Sequence, residues 1–515
     1  MQNEGRILLK SPYKMFGDSP PLPALEKGNT NNTSFNEELC LPDTPKGCIS
    51  SRLSPRQLIY WQELKLQCHL SGPLVAVSFL QMAFQIISIM FVGHLGELAL
   101  SSSSMATSVA NVTGLCVMMG MASGLETLCG HAFGAKQYQL LGVYLQTGVI
   151  VLNTLAVFLS FIYVFMRVIL IALGQDEQIS TEAGKYAKFL IPTLFAFASS
   201  QSLIRFLQTQ SLVYPMLACS GLAAAIHVPL CWVLVYKTSL GFTGAALSTS
   251  ICNWINVILL YGYITLSPSC SMTRAPLSLH SLKYTGSFVK LALPSAAMLC
   301  LEWWCYEVLL LLSGLLPNPE LQTSTVSICL NFANLTFQIP FGLAATVSTR
   351  ISNELGAGRP QAAYRAVLVG EMLTETQACI VSILILLFHR VLGNVFSGDS
   401  EVIEAVAVLL KLVAISTFLD SNQAVLSGIA RGCGWQGRGA FINLGSFYIV
   451  GLPIGACLGF LTPLKARGLW IGLICGPFVQ VCLLGAMTWT ANWDKEAEKA
   501  RQHVQSDSTT PLLLH

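Results

Sequence analysis

The sequence predicts an all-α integral membrane protein: twelve transmembrane helices in two pseudo-symmetric six-helix bundles, related as parallel repeats. It does so through long apolar runs, a scarcity of charge and a six-span pattern that occurs twice. Of 515 residues, 53% are hydrophobic and 11% are charged, against about 25% charged in an average soluble domain. Mean hydropathy is +0.60. So few charges could not cover a soluble body of this size. Apolar runs of about 20 residues can each cross about 30 Å of hydrocarbon as a helix.

Apolar runs between polar breaks place the spans near 70–93, 102–128, 142–172, 184–205, 213–236, 242–266, 288–315, 323–349, 364–390, 402–429, 438–461 and 468–490. An even number puts both termini on one side. Lys and Arg choose that side. The N-terminal segment holds eight, the C-terminal segment three and the even-numbered loops ten, including Lys136, Arg205, Arg350 and Arg431; eight remain elsewhere. A split of 21 to 8 predicts cytosolic termini.

Domain limits follow. Residues 1–66 are polar, rich in Pro, Asn and Ser, lack a signal-peptide core and read as a disordered cytosolic tail. Its sequons at Asn31 and Asn32 would go unused there. Residues 67–266 form the first lobe, 267–287 a cytosolic linker, 288–490 the second lobe and 491–515 a cytosolic tail. The 17 cysteines lie mostly in apolar runs, without CxxC pairs or a zinc-type Cys/His set. They read as small buried hydrophobes. No metal ligand set and no nucleic-acid-binding patch is predicted.

The duplication is read from landmarks. Pro73, Gln81 and Gly93 fall on Pro294, Glu302 and Gly314 at a shift of 221. Gly120, Thr127, Gly134 and Gly148 fall on Gly342, Thr349, Gly356 and Gly370 at 222, as Gln201 does on Gln423. Pro229 and Gly244 fall on Pro453 and Gly468 at 224. Six spans per copy make the repeats parallel, about an axis along the membrane normal.

Acids inside spans are the informative residues: Glu302 and Glu307 in the seventh, Asp420 in the tenth. An ionised carboxylate at a helix centre costs about 2.5–3.5 kcal/mol on insertion scales. A cavity acid that titrates near neutrality can load and release a proton. Glu302 and Asp420 are the candidates for that role; a structural hydrogen bond between helices is the bland alternative. Glu307 lies five residues from Glu302, about 140° away around the helix. Tyr306, four after Glu302, is placed to bond it, and Gln423 stands likewise one turn from Asp420. Asn331, Asn334 and Gln338 make a polar stripe on the eighth span, suited to a wet cavity, to the acids or to helix–helix packing. Trp303 offers a surface for an aromatic or cationic substrate.

The repeat shift puts Gln81 at the place of Glu302 and Ala198 at that of Asp420. Ion coupling is therefore expected in the C-terminal lobe, with Gln81, Gln85 and Asn111 of the first lobe as substrate contacts. Glu126, at the end of the second span, reads as a gate or loop partner of nearby basic residues.

The runs Phe91-Val-Gly-His-Leu-Gly-Glu-Leu, Gly124-Leu-Glu-Thr-Leu-Cys-Gly-His-Ala-Phe-Gly-Ala-Lys-Gln, Leu301-Glu-Trp-Trp-Cys-Tyr-Glu, Arg350-Ile-Ser-Asn-Glu-Leu-Gly-Ala-Gly and Gly428-Ile-Ala-Arg-Gly-Cys-Gly-Trp-Gln together resemble the multidrug and toxic compound extrusion (MATE) family. The resemblance covers about 70–490 and is nearest the plant detoxification branch. It implies a two-lobed antiporter that exports small organic compounds, cationic or phenolic, in exchange for protons and without another cofactor. In that family the first glutamate of the Glu-Trp-Trp motif and the aspartate of the tenth span are proton-linked; these match Glu302 and Asp420. Many bacterial members use an aspartate in the first span, and 70–93 contains no acid.

A lipid-linked sugar flippase of similar architecture would favour a strongly basic cavity, which these spans do not show. A membrane enzyme should cluster histidines or paired acids at a membrane face, and the eight histidines are scattered. A seven-span receptor contradicts the duplication. The plasma membrane and the vacuolar membrane stay open as locations, the Pro511-Leu-Leu-Leu end being a weak sorting signal. The oligomeric state is also open and is compatible with a monomer.

Overall fold

The computed structural model describes residues 54–396 and 400–508. Asn31, Asn32 and the Pro511 end lie outside them. Twelve helices among the described residues are long and apolar enough to cross a membrane. They are α1 (Pro55–Gly93), α2 (Glu97–Gly134), α3 (Tyr138–Val164), α4 (Glu177–Thr209), α5 (Val213–Tyr236) and α6 (Phe242–Leu266) in the N-terminal lobe. The C-terminal lobe holds α7 (Leu279–Ser313), α8 (Pro319–Gly356), α9 (Pro360–Asn394), α10 (Ser400–Cys433), α11 (Gln436–Leu461) and α12 (Ala466–Thr490). A polar helix, α13 (Trp493–Ser508), follows.

Most helices outrun the spans read from the sequence, and three differences shape the fold. α1 begins at Pro55, so residues 55–66 are helix rather than tail. Ser54 caps it in a reciprocal capping box with Gln57. Its polar first turns escape a hydropathy reading, yet they dock: Gln67 is fully buried and Glu63 pairs with Arg350 of α8. The 142–172 span breaks at Phe165, after which a short helix, Met166–Ala172, runs on. Within 491–515, α13 folds onto the body by burying Ala497, Ala500 and Val504.

Glycines record the two-fold relation. A Cβ on Gly120 would come within 2.6 Å of Ala296, and one on Gly342 within 2.7 Å of the Val75 backbone nitrogen. Gly120 and Gly342 are repeat mates, and so are Val75 and Ala296. Gly134 presses on the Asn353 carbonyl, and Gly356 presses on the His131 carbonyl. These too are mates at a shift of 222. Such exchanged contacts are the signature of an isologous two-fold interface, here between α2 and α8 and between α1–α8 and α2–α7. The lobes meet most closely at the end bearing Ser54 and α13, called below the terminal end.

Candidate functional site

Glu302 and Tyr306 stand one turn apart on α7, and Asp420 and Gln423 about one turn apart on α10. An odd and an even span run antiparallel, so advancing along α7 means stepping back along α10. Gln423 Nε2 donates to Glu302 Oε2 at 2.6 Å. Tyr306 donates its hydroxyl to Asp420 Oδ1 at 3.1 Å. Spacing within each helix pairs Tyr306 with Glu302 and Gln423 with Asp420; the structure crosses that pairing. The antiparallel register between helices overrides the one-turn rule within each. Glu302 is 5% exposed and Asp420 7%, and neither has an ion-pair partner among the described residues. Glutamine and tyrosine can each donate to a carboxylate and accept from a carboxylic acid. Each acid can therefore change protonation state without leaving its neighbour unsatisfied.

Glu307 stays apart from this pair, half-buried and without a side-chain bond among the described residues. The Asn331, Asn334 and Gln338 stripe does not reach the acids either. The two asparagines are exposed, and Gln338 donates to the Asn334 carbonyl one turn back. Trp303 is half-buried, while its neighbour Trp304 donates to the Val112 carbonyl across the lobe interface at 3.0 Å.

The gate expectation for Glu126 gains definite partners. Its Oε1 meets Arg205 Nη1 of its own lobe at 2.6 Å, and its Oε2 meets Arg431 Nε of the other lobe at 3.3 Å. Ser348, its repeat mate, donates to Oε2 at 2.8 Å. Thr127 donates to the Arg431 carbonyl at 2.6 Å. Sequence reading counted Arg205 and Arg431 among loop cations; both are helical, and Arg205 is 5% exposed. A second clamp, absent from the sequence reading, joins Arg350 to Glu63 through two bonds of 3.0 and 2.8 Å. A pocket of about 410 Å³, open on one side, runs between the Glu126 cluster and Glu302, past Ser123, Ser295, Phe341 and Ser427.

In the N-terminal lobe a larger cavity of about 820 Å³ brings together all three predicted contacts, Gln81, Gln85 and Asn111, with Gln201, Asn253 and Asn256. Asn111 opens a π-helical turn, Asn111–Leu115, that re-aims the second span. Gln201 is 2% exposed and its Nε2 has no partner among the described residues. No acid lines this cavity. Ala198, the mate of Asp420, is packed in the core instead.

Two acids were missed: Glu371 and Glu375, one turn apart on α9. Glu371 is half-buried with one carboxylate oxygen unpartnered among the described residues. Their spacing on one face of an otherwise apolar span was the available signal.

Twelve spans in two lobes joined about a two-fold axis, with one pocket between the lobes and another within the first, define a membrane transporter. The MatE family model matches the chain twice, over residues 73–233 and 294–457. The two matches are offset by 221 at their starts and 224 at their ends, the same drift the landmarks give. The chain belongs to the multidrug and toxic compound extrusion family. It is similar to Protein DETOXIFICATION 16 of Arabidopsis thaliana, with 50% identity over 87% of this chain and 92% of that protein. Protein DETOXIFICATION 14 of the same plant is 44% identical over 87% and 92%. The crystal structure of the eukaryotic MATE transporter AtDTX14 superposes with a TM-score of 0.84 at 44% identity, covering 87% of this chain and 100% of that one. A multidrug resistance MATE transporter in an outward-facing conformation shares the fold, with a TM-score of 0.74 at 15% identity over 87% and 97%.

Proposed function

We propose that this detoxification-type transporter is a proton-coupled antiporter. It exports organic compounds, such as xenobiotics and secondary metabolites, from the cytosol across the plasma or vacuolar membrane. The observation that carries the reading is the crossed pair: two buried carboxyls, each bonded to a group that serves either protonation state.

The Lys and Arg bias supports a cytosolic terminal end. The conformer described is then closed to the cytosol by the Glu126–Arg431 and Glu63–Arg350 pairs. Protons arriving from the acidic outer or vacuolar side load Glu302 and Asp420, substrate leaves, and the lobes part at the cytosolic end to take up the next molecule. The amides of the N-terminal cavity contact substrate by hydrogen bonds, Gln201 Nε2 being an unused donor there. Each pH unit supplies about 1.4 kcal/mol per proton. A gradient of about two units sustains roughly hundred-fold accumulation in electroneutral one-for-one exchange.

The test is uptake of a panel of organic cations and phenols into proteoliposomes acidified inside. Accumulation should appear with the native protein and vanish when a protonophore collapses the gradient. Full gradient-driven accumulation by both Glu302→Gln and Asp420→Asn would overturn the proton assignment.

A further inference from the structure

α13 lies across both lobes at the end where they meet. Its apolar stripe is short: Ala497, Ala500 and Val504, each no more than 4% exposed. Ala497 and Ala500 pack into the C-terminal lobe beside Leu355, Ala363 and Trp435. Val504 belongs instead to the core of the N-terminal lobe, with Leu128, Ala132 and Leu140. The polar contacts at the start of α13 stay within the C-terminal lobe, and those at its far end add the N-terminal lobe. At the start of α13, Trp435 Nε1 donates to Glu496 at 3.2 Å, and the Trp493 ring meets those of Trp435 and Tyr364. Arg501 lies over Gly358, a left-handed position in the α8–α9 turn. At the far end, Tyr144 of α3 donates its hydroxyl to Asp507 Oδ2 at 2.5 Å. From α7, Tyr284 donates to the Asp507 carbonyl at 3.1 Å and Ser287 to Asp507 Oδ1 at 3.5 Å.

A rigid helix fixed to two lobes cannot follow both when they separate. The C-terminal attachment is the stronger, since α13 follows α12 after only two residues and holds two rings and two buried alanines there. The N-terminal attachment is smaller, with Val504 in the first lobe's core and the Asp507 carboxylate held by Tyr144. We infer that α13 is a releasable strap, with Asp507 and Tyr144 as its clasp, and that letting go of this clasp is a step in opening the terminal end. The inference rests on the reading that the lobes part at this end during transport.

The experiment uses the full chain in proteoliposomes. In a Ser352→Cys background, residue 352 sits against Gly130 in the closed interface, and its labelling by a membrane-impermeant maleimide is read by mass spectrometry. Asp507→Asn and Tyr144→Phe should each raise the labelling rate about ten-fold, the size expected for losing a charge-assisted hydrogen bond. Separately, Tyr144→Cys with Asp507→Cys is joined by a short reducible bis-maleimide. The joined protein should stop transporting, and reductant should restore the rate measured before joining. That earlier rate shows whether the transporter itself works, so a failure of the strap is distinguishable from a failure of the proposed function. Unchanged labelling in both clasp variants, or native transport by the joined protein, would overturn the strap.

Discussion

The two lobes keep one polar skeleton and divide the charge between them unequally. On the C-terminal side Glu302 is bonded to Gln423; on the N-terminal side their mates Gln81 and Gln201 line a cavity with no acid. At the axis the division is finer. Glu126 faces its own mate Ser348 at 2.8 Å, while Arg205 and Arg431 have Ser427 and Thr209 as mates. Near a two-fold axis a residue meets its own copy. A charge retained in both copies would face a like charge at contact distance, which a low-dielectric interior strongly disfavours. A duplicated protein can therefore hold charge at its axis only by becoming asymmetric. The hydroxyls of Ser348 and Ser427 are what such a solution looks like.

The comparison can be broken most severely at the acids. Glu302→Gln or Asp420→Asn should reduce gradient-driven accumulation from about hundred-fold to none, as measured by vesicle uptake. The mirrored changes Gln81→Leu and Ala198→Ser should leave accumulation in place. Next comes the axis. Glu126→Gln leaves two cations without their shared anion, and loss of one partner from a buried pair costs about 3–5 kcal/mol. Detergent-solubilised thermal unfolding should show that loss, whereas Ser348→Ala should cost about 1 kcal/mol. Smaller again is the crossed pairing. A double-mutant cycle on thermal unfolding in detergent should couple Gln423→Leu to Glu302→Ala, and Tyr306→Phe to Asp420→Ala, each by about 1.5–3 kcal/mol. The opposite combinations should be nearly additive. The smallest effect belongs to the N-terminal cavity. Gln85→Ala should raise KM a few-fold, about 1 kcal/mol, with the pH dependence of transport unmoved.

Legibility in the sequence followed the range of each interaction. Spans and the duplication were readable because hydropathy and repeat offset are properties of the chain itself. The same drift from 221 to 224 reappears in the two matched segments. Glu302 and Asp420 were visible as acids in apolar runs, but their partners were not. Gln423 reaches Glu302 across 121 residues, and only the α7–α10 register decides that. Glu126 reads as a gate or loop partner of basic residues, and its partners Arg205 and Arg431 read as loop cations because their neighbours at the helix ends are polar. Glu63 was lost in a segment read as tail; its anchor, Arg350, lies 287 residues away.

The central claim is that proton coupling resides in the C-terminal lobe alone. The most direct measurement is substrate-driven proton flux in proteoliposomes, followed by an internal pH-sensitive dye. The native protein is compared with Glu302→Gln/Asp420→Asn and with Gln81→Leu/Gln201→Leu. The account predicts no substrate-driven proton flux from the first variant. From the second it predicts an undiminished number of protons per substrate, even where turnover is slower. Proton flux surviving in the first variant, or a changed proton-to-substrate ratio in the second, would contradict it.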